Sequence, residues 1–447
     1  MKVTKKMLFG LTAALASCIA ATLLLTFAGR GEAAAGRTPI YYFTNYAAPE
    51  ELLLASVEND TGSVALAAAN GTYYVSGNVH LEADGREVAN FFNTVYRLPM
   101  KRLLEGADAS DPQYGLTEPR AEILLQDTKQ NGVLFLVGSA TPDGEGCYAC
   151  LSGDTRVFVM DRAYAQLFLD RVDRFFDRSL YPSLEGDGVC SLRSVTVQRE
   201  GKTVYTLRLD SASEDGGTAV FSMEEPYSLV LGINQARDEI LTPLRELEGT
   251  EIVPKPEDLS VYALADRSNC FTLTYQDGSA AVIRVGRQEG SGTYVLREDT
   301  GLVMLAPTAN LSFFHDTALQ VVGQNLVDIP MGNLISLQIG DRVYQLSGTP
   351  PALCVTLDGA EQPLGEFQNG VYTALNRITL QGEWNGAGQG ELLIEAAVQA
   401  GYAGGSAQTT AYAFYVLEGR RCGVAVNGQP AFLCSQSAVQ RLIDAAH

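Results

Sequence analysis

The stretch that decides the fold covers residues 114–168 and opens with Tyr114-Gly115-Leu116-Thr117-Glu118-Pro119. Two apolar runs follow at residues 121–125 and 134–138, and their alternation is typical of half-buried β-strands. The stretch continues through Gly144-Glu145-Gly146-Cys147-Tyr148 and ends in an apolar-periodic tail at Phe168. Short turns join consecutive strands, so antiparallel pairing is expected, because parallel crossovers need about a dozen connecting residues or more.

Most of this stretch occurs a second time. Tyr262-Ala263-Leu264 repeats Tyr114-Gly115-Leu116 at an offset of 262 − 114 = 148 residues, and Gly286 follows Gly138 at the same offset. Solenoid repeats have periods of about 20–50 residues, so a copied unit of this length is a small domain. The sequence therefore predicts a tandem duplication.

Composition places the chain among folded, acidic proteins. It has 447 residues, of which 46% are hydrophobic and 19% are charged, with a formal net charge of −20. This length suits about three ordinary domains, and the balance is that of a globular chain. An acidic body argues against nucleic acid and against binding an anionic membrane face, because both need basic patches.

The N-terminus predicts a single membrane anchor. Residues 7–28, from Met7 to Ala28, carry no charged side chain, and at about 1.5 Å per residue they reach roughly 33 Å, against a bilayer core of about 30 Å. Lys2, Lys5 and Lys6 precede this run, so the tip is expected in the cytoplasm and the body outside it.

Two alternatives to an uncleaved anchor remain. Leu15-Ala16-Ser17-Cys18 has the form of a lipoprotein box with Cys18 as the lipidated residue, although mostly apolar residues continue after it. Ala33-Ala34-Ala35 has the form of a signal-peptide cleavage site, which would release the body.

The expected fold class is α+β: tandem repeats of antiparallel sheet with helices packed on one face, after one N-terminal transmembrane helix. Helices are predicted over residues 88–104, 163–175, 235–247, 308–314 and 438–446, with interruptions at Pro99 and Pro243. Asn427-Gly428 between apolar runs predicts a hairpin. The expected domains are residues 1–38 (cytoplasmic tip, anchor and linker), 39–190 (repeat 1), 191–332 (repeat 2) and 333–447 (a partial repeat 3).

The cysteines show no framework pattern. Eight are present, and seven remain when Cys18 is set aside, so most are interpreted as small core residues. Cys147 and Cys150 have redox-motif spacing, but they fall in a predicted strand, where residues three apart point to opposite faces. The second copy has Thr293 and Leu296 at these places, which favours packing over a redox or metal role.

No residue is assigned a catalytic, cofactor or metal role. The three histidines, His80, His315 and His447, are interpreted as surface or loop residues, and only His315 is a conceivable catalytic base. The acidic stretch at residues 210–215 is interpreted as a solvated loop and not as a Ca²⁺ site. The single tryptophan, Trp384, is interpreted as a core residue and not as an exposed anchor for a glycan or partner.

The pattern resembles a bacterial family of unknown function, the domain of unknown function 4340 family. The residues that carry the resemblance are Tyr114-Gly115-Leu116 with Pro119, Val137-Gly138, Gly146-Cys147-Tyr148, Val157-Phe158-Val159 and the hydrophobic start at Met7 to Ala28. The second copy lacks the glycine of the first motif, so its turn geometry is expected to differ. Members of this family often stand beside ABC-type export permeases of the gliding-motility kind, which implies an extracytoplasmic accessory subunit.

Three functions are therefore considered. The favoured one is a membrane-anchored extracytoplasmic accessory or scaffold of an ABC-type transport system, which acts by protein contacts and is not an enzyme. The second is a cell-envelope module that holds a glycan or peptide in an exposed aromatic cleft at a repeat junction. The third is a hydrolase with a pocket at His315, or a thiol oxidoreductase with a reactive Cys147.

Overall fold

The structure is a computed structural model that describes residues 41–77, 81–185, 188–211, 220–253, 256, 258–348, 350–401 and 407–447. It forms two compact units that divide between Arg178 and Ser179. Three large antiparallel sheets and a few short helices make up both units, which confirms the sheet-rich α+β class. The anchor predicted from Met7 to Ala28 lies outside the described residues, and none of the helices within them is long and apolar enough to cross a membrane.

Sheet I belongs to the first unit and has eight strands in the order β4-β3-β2-β7-β8-β9-β10-β6. A separate two-stranded sheet pairs β1 with β5. The strand bounds in chain order are β1 Tyr41–Tyr42, β2 Leu52–Asn59, β3 Gly62–Ala69, β4 Thr72–Gly77, β5 Pro99–Met100, β6 Arg102–Leu104, β7 Ala121–Asp127, β8 Gly132–Ala140, β9 Gly146–Leu151 and β10 Val157–Asp161.

Sheet II belongs to the second unit and has nine strands in the order β14-β13-β12-β11-β16-β17-β18-β19-β15. Its strands are β11 Leu192–Arg199, β12 Lys202–Ser211, β13 Val220–Glu225, β14 Leu229–Val230, β15 Glu251–Ile252, β16 Cys270–Tyr275, β17 Ala280–Glu289, β18 Gly292–Arg297 and β19 Leu302–Pro307.

Sheet III also belongs to the second unit and has nine strands in the order β23-β22-β21-β20-β25-β26-β27-β28-β24. Its strands are β20 Leu334–Ile339, β21 Arg342–Ser347, β22 Cys354–Leu357, β23 Ala360–Gln362, β24 Leu380–Glu383, β25 Leu392–Ala400, β26 Gln408–Leu417, β27 Arg421–Val426 and β28 Gln429–Ser435.

All three sheets follow one plan. The first strands of each segment form a meander on one side, the last four form a meander on the other, and a short strand from the connecting segment pairs with the last strand at the edge. Sheet III has as many strands as sheet II, whereas the sequence of residues 333–447 predicted a partial repeat. A strand needs only alternating residues and a partner of matching length, so the plan persists where the motifs do not.

The helices predicted at residues 88–104 and 163–175 are shorter in the structure, and those at 235–247 and 308–314 are mixtures of helix types. The helix predicted at 438–446 is confirmed and begins two residues earlier. The first α-helix is Gly85–Val95, where the Asp84 carboxylate accepts the backbone N–H groups of Arg86 and Glu87 and so caps the helix. The other α-helices are Arg162–Leu169, Gly188–Ser191, Ile233–Ala236, Thr242–Glu246, Ser312–His315, Ala318–Val322, Leu364–Phe367, Thr373–Asn376 and Gln436–Ala446. The 3₁₀ turns are Pro49–Glu51, Pro112–Tyr114, Val172–Phe175, Leu259–Tyr262, Thr308–Leu311 and Met331–Asn333.

Two π-helical turns, Arg237–Leu241 and Gln368–Tyr372, occupy the same place in sheets II and III, between the first meander and the edge strand. In sheet II the turn ends two residues before Pro243, which lacks the N–H that an α-helix would use at this point. The irregularity expected at Pro243 therefore takes the form of a widened turn.

Each sheet carries a core on the face where its helices pack. In sheet I the ring of Phe135 lies 5.3 Å from that of Phe168, which lies 6.0 Å from Phe91 on the first helix. In sheet II, Phe271 lies 5.1 Å from Phe313. Because neighbouring residues on a strand alternate between faces, Leu136 next to Phe135 points the other way, into a second, smaller cluster.

Candidate functional site

The second unit contains a groove of about 610 Å³ that is formed by helical segments after β14 and β19, by the loop that follows Val322, and by β24 of sheet III. Polar side chains dominate the wall that the described residues form, and no aromatic residue is among them. Its carboxylates are Glu239, Asp316 and Asp328, and its amides are Gln235, Gln320, Gln324 and Asn325. The remaining wall residues are Leu319, Val322, Gly323 and Leu380. The lining therefore offers hydrogen bonds to a polar ligand, and it differs from the aromatic cleft expected at a repeat junction.

Two local contacts hold the amide side of the groove. The amide of Gln235 donates to the backbone carbonyl of Gln320 at 3.0 Å. Gly323 has φ +93, and a Cβ added there would meet the Gln235 side chain at 3.0 Å, so a glycine is needed for the wall to close against this amide. Thr317 and Gln320 form a capping box on the helix Ala318–Val322, which was a readable signal for this helix that the sequence interpretation missed.

Arg199 fixes the other side of the groove. Its guanidinium donates to the backbone carbonyls of His315 and Asp316 at 2.6 and 2.7 Å. Burial raises the pKa of the Asp316 carboxyl, while the Arg199 charge opposes this shift. Burial also lowers the pKa of His315, and the Arg199 charge adds to that effect.

His315 is only partly desolvated, since it keeps a large exposed surface while its ring packs edge-on against the neighbouring Phe314 ring at 5.3 Å. Within the described ranges its imidazole has no serine or carboxylate hydrogen-bond partner. The His315 carbonyl, and not its ring, is the group that Arg199 engages. His80 lies outside the described residues, and His447 is exposed and is not among the residues that line the groove.

Cys147 and Cys150 lie on β9 and are both buried free thiols, 6% and 3% exposed. Cys150 packs with Leu116 and Val157 in the smaller cluster of sheet I. Burial raises the pKa of Cys147 and raises that of Cys150 to about 11, so both are protonated at neutral pH and are poor nucleophiles. These observations favour the packing interpretation.

The Tyr-x-Leu motif makes the same packing contact in both sheets, between tyrosine rings that are partly buried except for the buried Tyr294. The Tyr114 and Tyr148 rings lie 4.9 Å apart at 74°, and the Tyr262 and Tyr294 rings lie 4.8 Å apart at 60°. Leu116 and Leu264 belong to the corresponding clusters.

The turn after each first tyrosine has the same geometry in both copies. Gly115 has φ +62 and Ala263 has φ +57, each as the C-cap of a 3₁₀ turn that an aspartate caps at the other end. The expectation that the second turn would differ is wrong. Alanine accepts the left-handed conformation here because the surrounding contacts outweigh its cost of about 1–2 kcal/mol.

The remaining candidates carry no site. In the described part of the chain, no group of three His, Cys, Asp or Glu side chains could hold a metal ion. Asp210 lies on β12, but residues 212–219 of the acidic stretch are not among the described residues. Trp384 is 6% exposed, which confirms the interpretation as a core residue.

The strand order shared by the three sheets, and the tyrosine pair shared by sheets I and II, define the class of protein. It is a chain of open antiparallel α+β sheets with one common strand order. The family model described as domain of unknown function (DUF4340) matches residues 74–253, from β4 of sheet I to the edge strand of sheet II, and confirms the resemblance over that range. No curated protein and no solved structure matches the chain.

Proposed function

We propose that this protein is an extracytoplasmic accessory or scaffold subunit, anchored in the membrane by the segment from Met7 to Ala28, that acts through protein contacts with an ABC-type transport system. The proposal rests on three supports: the lysine-flanked hydrophobic run, the resemblance to the domain of unknown function 4340 family, and the open sheets. The strand plan, with helices packed on one face of each sheet, fits repeated copying of one framework.

The open edges of the sheets carry this proposal. Thr72–Gly77 stands at one end of sheet I, and Ala360–Gln362 stands at one end of sheet III. An edge strand offers a row of backbone N–H and C=O groups on its outer side, which another chain can pair with. What recurs between sheets I and II is packing, namely the tyrosine pair and its turn, whereas Cys147 and Cys150 do not recur.

The side of the membrane can be tested through Cys354, which is an exposed thiol. A membrane-impermeant maleimide added to cells stripped of their wall should label the peptide that contains Cys354, and Cys354→Ser should abolish that signal. Labelling that appears only after lysis would place the body in the cytoplasm and overturn the proposed location.

Partner contacts can be tested by photo-crosslinking at the edges. A photoreactive residue at Thr72 or Glu361, both exposed on edge strands, should capture a membrane permease in cells. The matched control is Glu122, which is exposed in the interior strand β7 of sheet I and should capture much less. Equal capture at all three positions would argue against edge-mediated contacts.

The groove in the second unit favours one alternative, a module that binds a polar glycan or peptide. Seven amide and carboxylate side chains line it, which suits hydrogen bonding to hydroxyl or amide groups. Titration of the protein with wall fragments should then give binding that Gln235→Ala and Asp328→Asn weaken. Gln166→Ala, at an exposed position in the first unit, is the control.

A further inference from the structure

Cys422 and Cys434 lie directly opposite each other in sheet III. Cys422 is on β27 and Cys434 is on β28, and the two form a register pair. Both are free thiols with 0% exposure. They share the face of the hairpin that carries the buried residues Val424 and Phe432.

A β-bulge creates this pairing. The hairpin closes at Asn427-Gly428 with Val426 opposite Gln429, and the register shifts between Val424 and Ala425. Pro430 stands at the shift, and a proline in a strand favours a bulge because it has no N–H for the ladder. Without the shift, Cys422 would face Leu433.

The two thiols also interact chemically. The pKa of Cys422 is lowered by a hydrogen bond from the Cys434 side chain, and the same hydrogen bond, with burial, raises the pKa of Cys434. Opposite residues of an antiparallel pair have Cα atoms about 4.5–5.5 Å apart, within the range of about 4.4–6.8 Å that disulfides span.

We propose that Cys422 and Cys434 form a cross-strand disulfide when the protein is outside the cytoplasm. This inference rests on the proposed extracytoplasmic location, because disulfides persist in oxidising compartments. Two S–H bonds break and one S–S bond forms. The two electrons and two protons pass to a disulfide oxidant, such as an extracytoplasmic thiol oxidase or oxidised glutathione, which is reduced to two thiols. Since both side chains are buried in the folded sheet, oxidation takes place as the hairpin forms.

Four other cysteines, Cys147, Cys150, Cys270 and Cys354, have described side chains, and none of them is placed for this reaction. In register, Cys147 faces Met160 and Ala140, Cys150 faces Leu136, Cys270 faces Arg284 and Gln198, and Cys354 faces Ser347. Cys147 and Cys150 share a strand at an odd spacing and so point to opposite faces. Among the cysteines with described side chains, the pair on β27 and β28 should therefore oxidise selectively.

The first test uses the full-length protein in detergent, unfolded, reduced and then refolded in a buffer of oxidised and reduced glutathione. Non-reducing digestion and mass spectrometry should find the peptides of Cys422 and Cys434 joined, lighter by two hydrogen atoms. The unfolding temperature should rise on the order of 5 °C and fall again with dithiothreitol. A Cys422→Ala/Cys434→Ala variant should show no response to either reagent. Failure to form this bond, or preferential bonding of another pair, would overturn the inference whatever the location of the protein.

The second test traps thiols in cells with acid followed by an alkylating reagent. The inference predicts that Cys422 and Cys434 escape alkylation while Cys354 is alkylated. If Cys422 and Cys434 are both alkylated in cells whose Cys354 is labelled from outside, the disulfide is overturned and the proposed location stands. Alkylation of both, with no outside labelling of Cys354, would overturn the proposed location and the disulfide together.

Discussion

Gly423 lies directly against the indole of Trp384: a Cβ added at Gly423 would stand 2.7 Å from the ring. Gly423 is the third residue of β27, and Tyr148 and Tyr294 are the third residues of β9 and β18, which hold the same place in sheets I and II. Sheets I and II pack a pair of tyrosine rings at this place. In sheet III a glycine stands at the same position, and the indole of Trp384 occupies the space beside it. The indole N–H donates to the Ala387 carbonyl at 3.0 Å, so its polar end is satisfied.

Gly423→Ala should destabilise the second unit by about 1–3 kcal/mol, because the added methyl group overpacks the Trp384 contact. Trp384 is the only tryptophan in the chain, so its fluorescence reports urea unfolding of sheet III directly. The control is Gly365→Ala, since a Cβ there meets nothing within 4 Å, and it should be neutral or slightly stabilising. An unchanged midpoint for Gly423→Ala would show that the indole can move aside.

Gly138→Ala and Gly286→Ala should each destabilise their sheet by about 2 kcal/mol or more. An added Cβ would lie 2.2 Å from the Tyr114 carbonyl in the first case and 2.1 Å from the Tyr262 carbonyl in the second. These are backbone atoms, which cannot rotate away. Gly132→Ala is the matched control on the same strand as Gly138, because its nearest contact is the Leu124 side chain at 3.7 Å. Equal thermal unfolding temperatures for Gly138→Ala and this control would contradict the close approach of Gly138 to the Tyr114 carbonyl.

Ala263→Gly should leave the fold intact and stabilise it by up to about 1 kcal/mol, because glycine adopts positive φ without the steric cost that alanine pays. The reverse change, Gly115→Ala, should destabilise sheet I, since its Cβ would meet the Ser139 hydroxyl at 2.4 Å. Denaturant midpoints of the two variants should therefore move in opposite directions. A loss of stability in Ala263→Gly would mean that the packing of the alanine methyl group stabilises the fold by more than the positive φ of Ala263 destabilises it.

The Cys150 thiol should make the first unit less stable at alkaline pH. Burial raises the pKa of Cys150 to about 11, so the unfolded chain loses this proton at a lower pH than the folded chain does. The contribution is complete below the ordinary thiol pKa and disappears as pH rises toward about 11. Cys150→Val should flatten this part of the stability profile, measured by denaturant unfolding between pH 8 and pH 10. Identical profiles for the two proteins would contradict a buried, protonated thiol.

Much of sheets I and II follows from local sequence. Alternating apolar runs joined by short turns led to antiparallel pairing, and the equal offsets of Tyr114 and Gly138 to their counterparts pointed to a second sheet of the same kind. Helix boundaries were less accurate: the helix expected to reach residue 104 ends at Val95. Beyond that point, Pro99 pairs with Tyr42 in a separate small sheet, and pairing between distant segments leaves no mark on helical periodicity.

The groove could not be predicted from the sequence, because it is formed by segments that are distant along the chain. Gln235 and Asp328 come from segments separated by most of sheet II, and each is an ordinary polar residue in its own neighbourhood. Only the capping box at Thr317 gave a sequence signal for a helix that lines the groove. The rest depends on how sheets II and III pack within the second unit.

The sequence by itself determined the class of fold, the recurrence of Tyr-x-Leu and of the strand glycine at Gly138 and Gly286, and the hairpin at Asn427-Gly428, because alternation, turn chemistry and repetition are written in neighbouring residues. Only the tertiary structure decided that sheet III has nine strands, that an indole replaces a tyrosine pair, and that Cys422 faces Cys434. The physical reason is strand register. One extra residue at Ala431 shifts all the following β27–β28 residue pairs by one place. The register is fixed by the contacts of the whole sheet.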